Sequence, residues 1–88
     1  MPEEEVGKVT RYFAKIGVAG IMIEKGSVQV GDTLHIKGHT TDLTAEIKSL
    51  QVMGKDVEQA GPGEEIGVKL GDRARPNDMV YKVTPEGP

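Results

Sequence analysis

No cysteine occurs in the 88 residues, so disulfide bonds and thiolate-held metals are ruled out from the start. Tryptophan is absent too, and one Phe and two Tyr are the only aromatics, so a core must be assembled from Val, Ile, Leu, Met and Ala. No apolar run approaches the roughly 20 residues that a membrane-spanning helix requires. The opening Met-Pro-Glu-Glu-Glu is acidic and lacks the basic and apolar stretches of a secretory signal, so a soluble, cytoplasmic protein is expected. A phosphate-cradling Gly-x4-Gly-Lys-Ser/Thr loop is found nowhere, and nucleotide hydrolysis is not expected of this polypeptide.

What the chain has in quantity is turn chemistry. Twelve glycines and five prolines suit a chain that reverses often and do not suit a helical bundle. Val6 to Ile16 is rich in β-formers, Gly17 interrupts, and Val18 to Ile23 continues in branched and small residues. Gly26 and Gly31 flank Val28-Gln29-Val30 and admit the positive φ that tight turns need. Thr33 to Lys37 alternates, with Leu34 and Ile36 on one side, and Ile66, Val68 and Leu70 alternate in the same way. Between them Leu43 to Met53 reads as one long strand in which Ala45 and Ile47 are out of phase with Leu50 and Val52; a β-bulge near Lys48-Ser49 would reconcile them. Lys55 to Ala60 is a short connection or a brief strand through Val57, Gly61-Pro62-Gly63 a turn, Gly71 to Asp78 a polar loop and Met79 to Val83 a last strand. The expectation is an all-β domain, a small closed barrel of about six or seven strands over residues 6–83. Residues 1–5 would form a disordered acidic tail and 84–88 a loose one.

Formal charge is −3, which argues against generic nucleic-acid binding. Setting aside Glu3, Glu4, Glu5 and Glu86 as tail residues leaves ten acids against eleven bases, a near-neutral body.

Candidate chemistry is sparse. His35 and His39, if they share a strand face, stand about 13 Å apart, too far to hold one ion, and they read as solvent-exposed, with Asp42 near His39. No metal site or cofactor is expected. Ser27 is explained by its turn, and neither it nor Ser49 sits in a nucleophile elbow; Glu64-Glu65 alternates into a strand, so at most one would enter a cleft. Gly17-Val-Ala-Gly20 and Gly61-Pro-Gly63 lack the following helix of a dinucleotide site. No catalytic residue is assigned, and the chain is expected not to be an enzyme. Lys8, Arg11 and Lys15 on the first strand, with Arg73, Arg75 and Lys82 flanking the last, form the candidate binding surface: either a patch for RNA phosphates or solvated cations blunting exposed edges. Phe13, Tyr12 and Tyr81 are candidates for base stacking, but a small core has more need of Phe13, which is assigned there.

Two runs carry a family resemblance. Gly17-Val-Ala-Gly-Ile-Met-Ile-Glu-Lys-Gly-Ser-Val-Gln-Val-Gly-Asp32 resembles the second domain of translation factors such as elongation factor Tu and initiation factor two. Ile47-Lys-Ser-Leu-Gln-Val-Met53, Val57-Glu-Gln-Ala60 and Pro62-Gly63-Glu-Glu-Ile-Gly-Val68 are similar to the same domain in order and spacing. The chain departs from the family at Arg75-Pro76-Asn77-Asp78, where Arg-x-Gly-Asp is usual; Asn also takes a left-handed turn position, so the fold should survive. The resemblance implies a Greek-key-like barrel, here without a GTPase domain. It implies a non-catalytic module that docks on ribosomal or transfer RNA or on a ribosome-associated partner. The alternative is a protein-interaction or accessory barrel, self-associating or not and unrelated to RNA; similar barrels are appended to collagenase-like peptidases as a non-catalytic part.

Overall fold

Branched residues and glycines follow one another so closely here that strands form and end within a few residues. The computed structural model describes residues 3–71 and 73–83, and those residues hold ten strands and no helix. They are β1 (Glu3–Phe13), β2 (Val18–Ile23), β3 (Val28–Gln29), β4 (Thr33–Lys37), β5 (Asp42–Glu46), β6 (Leu50–Val52), β7 (Lys55–Val57), β8 (Gln59–Ala60), β9 (Glu65–Lys69) and β10 (Met79–Val83). Eight form one sheet in the order β5-β4-β10-β1-β2-β9-β6-β7, and β3 and β8 pair separately. All-β is therefore correct, with ten strands where six or seven were expected.

One face of the sheet carries the core. Leu34 and Ile36 of β4, Ile21 and Ile23 of β2, and Ile66 and Val68 of β9 are buried at period two. On β1 the alternation is broken twice. Val6 is an extra residue against β10, and Thr10 is an extra residue against β2. Each bulge bends the strand and sharpens its twist, which curves the sheet around the aliphatic cluster. Opposite Ile23 of β2, Gly7 is obligatory: a Cβ there would lie 1.9 Å from the carbonyl oxygen of Met22.

Two expectations need correction here. The phase change between Ile47 and Leu50 is not a bulge within one strand. β5 pairs with β4 at one edge of the sheet, whereas β6 pairs with β9 and β7 at the other, so residues 47–49 cross from edge to edge. Four residue steps from Glu46 to Leu50 reach at most about 14 Å, so the two edges must curl toward each other. Among the described residues they do not join in a ladder: the sheet stays open, and the expected closed barrel is not found. The small β3–β8 pair lies at the seam instead. Gly31 N–H donates to the Ile47 carbonyl, Ile47 N–H to that of Asp32, and Val30 N–H to that of Glu58. These contacts are made by residues between strands, not by the edge strands β5 and β7.

The acidic tail is the second correction. β1 begins at Glu3, with Glu3, Glu4 and Glu5 opposite Val83, Lys82 and Tyr81. Counting these acids as part of the folded sheet gives residues 3–83 eleven bases and thirteen acids, a net −2 rather than near neutrality. Residues 1–2 and the expected tail at 84–88 lie outside the described residues. No helix among the described residues is long and apolar enough to cross a membrane.

Candidate functional site

The six basic residues do not share one patch. Lys8 is half-buried on β1, opposite Met79. Lys15 has left the strand and stands exposed in the 14–17 turn. Lys82 is engaged near the start of β1, where its ammonium donates to the Ser27 carbonyl at 3.1 Å and sits 3.8 Å from Asp32. Arg11, Arg73 and Arg75 do come together, around a shallow depression completed by Tyr12, Ala14, Ala74 and Pro76.

The loop presenting Arg75 is held by its own sequence. Asn77 adopts φ +75°, the left-handed position expected of it, and donates its N–H to the Val9 carbonyl, while Val9 N–H donates to that of Asp78. The buried Asp78 carboxylate accepts from Arg75 N–H at 2.9 Å and fills the space where a Cβ on Gly38 would lie, only 1.9 Å from one carboxylate oxygen. These contacts fix the 75–78 turn on β1 and carry Ala74 into the core.

A second depression adjoins the first through Arg11 and is apolar. Phe13, Ile16, Val18 and Met53 line it with Arg11, and Gln51 and Glu65 add polar groups. Phe13 is 45% exposed, Ile16 62% and Met53 94%, so the assignment of Phe13 to the core is corrected. The cause lies in the chain path: β1 ends at Phe13, and Ile16 and Gly17 N–H both donate to its carbonyl, turning the backbone away before the side chain meets the core. Met53 sits at the tip of the two-residue β6–β7 hairpin with φ +52°, followed by Gly54 at +79°. A twisted hairpin demands positive φ at both positions, which Asn-Gly or Gly-Gly satisfies most easily. Sequence reasoning missed this groove, although an apolar residue before Gly in a hairpin turn was a visible signal.

The histidines are arranged differently from expectation. Asp42 meets His35, not His39. His35 Nδ1 lies 2.6 Å from a Glu3 oxygen and Nε2 2.5 Å from an Asp42 oxygen, and the ring is half-buried rather than solvent-exposed. Donation to both carboxylates requires both ring nitrogens protonated. The hydrogen bond to Asp42 is the main cause raising the His35 pKa above its ordinary value; partial burial opposes it, and Glu3 adds to the rise. His39 is exposed in the β4–β5 turn. Among the described residues, no cluster of three or more His, Asp or Glu side chains is suited to hold a metal ion.

An open, curled all-β domain with a basic and an apolar depression side by side is the class this geometry defines. The family model for elongation factor Tu domain 2 matches residues 17–77, and the chain belongs to that family. Its relatives, however, are named for proteolysis. An uncharacterized protease of Methanocaldococcus jannaschii is 42% identical over 78 residues, 88% of this chain but 19% of that protein. A collagenase of Porphyromonas gingivalis is 33% identical over the same share of this chain and 22% of its own length. The chain thus spans about a fifth of the curated relatives it matches. Among solved structures, the C-terminal domain of a Geobacillus thermoleovorans protein assigned to the U32 peptidases superposes with TM-score 0.85 at 21% identity, covering 92% of this chain and 93% of that domain. A selenomethionine form of the same domain gives TM-score 0.83. These findings overturn the expectation of a ribosome- or transfer-RNA-docking module: the relatives described above are named as a protease, a collagenase and a U32 peptidase domain, not as translation factors. The net −2 charge and the dispersal of Lys8, Lys15 and Lys82 supply the physical reason, since counterion release needs a concentrated field of cations.

Proposed function

We propose that this chain is a non-catalytic accessory domain of a U32 peptidase-type protein, one that holds a protein segment rather than cleaving it. The observation that carries this reading is the 42% identity to a protease across 88% of this chain, matched to only 19% of the protease. The shared part is this domain, and the remaining four fifths of the relative are available for catalysis. The histidine chemistry supports the same reading. His35 commits both ring nitrogens to carboxylates, which leaves it none to activate a nucleophile.

The purified chain is expected to leave fluorogenic casein uncut, with release indistinguishable from a buffer blank across pH 5 to 9. Turnover that scales with the amount of chain and persists through repeated purification would sink the reading.

A further inference from the structure

The large apolar side chains left in solvent are not scattered. Among the described residues they are Phe13, Ile16, Val30 and Met53, and three of the four line one groove. Isolated exposed hydrophobics need no explanation, but a contiguous set rimmed by polar groups marks an interaction surface. Met53 adds an independent observation. It holds a left-handed φ that disfavours an L side chain other than Asn or Asp, while its own side chain is almost wholly in water. It gains nothing from core packing, and residues kept in strained conformations concentrate at ligand clamps.

The groove does not end at its apolar wall. Arg11 lines both it and the neighbouring basic depression, where Arg75 stands on a turn fixed by Asp78. Glu65 lies in the groove with its carboxylate accepting from the Thr10 hydroxyl at 2.6 Å. An occupant that suits the whole surface is therefore uncharged and apolar over Phe13, Ile16 and Met53, and acidic over Arg11 and Arg75. We infer that this joined surface docks such a segment of the peptidase-type body, an inference that rests on the accessory-domain reading above. Relatives about five times longer than this chain supply the partner. A body in the same polypeptide meets the groove at an effective concentration of about millimolar, so a patch smaller than a free complex needs is sufficient.

The test uses this chain and the M. jannaschii protease from which the matching 78 residues have been removed. A chimera with this chain in place of those residues covers the case where the truncated body fails to fold. Peroxide footprinting reads each methionine by mass spectrometry, with Met22 and Met79 as internal references. Met53 oxidation is expected to slow at least tenfold in the complex and in the chimera relative to the free chain. Met53→Asn and Phe13→Ser should each weaken binding to the body at least tenfold. For Met53→Asn the melting temperature of the free chain should hold or rise, which separates lost contact from lost fold. Arg75→Glu should weaken binding by a similar factor and flatten its salt dependence. If the body binds while Met53 oxidises at the free rate and the variants are silent, the groove assignment fails and the accessory reading stands. If neither body nor chimera engages the chain anywhere, both fall. Protection of Met53 in the free chain, rising with concentration alongside a dimer mass, would replace the peptidase body with a second copy and overturn the assignment.

Discussion

At Gly7 a single added methyl group would collide with the carbonyl oxygen of Met22, which is backbone on the adjacent strand and has nowhere to go. Gly7→Ala is expected to lower stability by about 2–3 kcal/mol, as strained backbone positions do, and urea denaturation with an unchanged m-value would show it. Met53 presents the opposite case. Met53→Asn relieves a left-handed φ and should stabilise the free domain by about 0.5–1 kcal/mol. His35 makes stability depend on pH. Its pKa is raised in the folded chain, so its contribution is fully present below the unfolded value near 6.5 and disappears as pH climbs through the raised folded value. The melting temperature should therefore fall between pH 6 and pH 9, and His35→Gln should remove that part of the slope. An identical slope in the variant would assign the pH dependence to other groups.

The crossing segment decides how the strands are wired. Ile47 is fully buried, and its N–H and carbonyl tie it to Asp32 and Gly31. Ile47→Ala should cost about 3 kcal/mol and loosen both edges together, visible as faster amide exchange in β5 and β6. Those edges are charged: Asp42 and Glu46 on β5, Lys55 and Asp56 on β7. Charges on exposed edges discourage pairing with other sheets, so Glu46→Val with Asp56→Val should produce concentration-dependent association in light scattering. At this scale the sequence was legible where one strand explains its own pattern. Leu34 and Ile36 alternate because β4 has one wet face, and the strand runs from Thr33 to Lys37 as expected. The phase slip at Ile47 was equally visible, but a bulge and a break look alike locally. The choice between them rests on partners at Leu34 and Val68, far away in sequence. Phe13 was misplaced for the same reason. Its residue type favours burial, and only the turn that ends β1 leaves it outside.

Taken as a whole, the molecule separates what a family resemblance carries from what it does not. The runs from Gly17 to Asp32 and from Ile47 to Val68 lie inside the matched family segment, and the all-β fold followed from them. Function did not follow, because it resides in side chains that the fold leaves free to vary. The proximity of Arg11 to Arg73 and Arg75 was implicit in the adjacency of β1 and β10, whereas Lys82 lies farther along β10, level with Glu4. Chain geometry adds a mechanical consequence. Glu3 and Val83 sit side by side, so both ends of the described chain lie at one corner. Phe13 and the groove lie at the far end of β1, ten residue steps and up to about 30 Å away. Were the proposed peptidase-type body joined at that corner, the groove would reach it with the domain folded down lengthwise, like a pocket-knife blade closing against its handle.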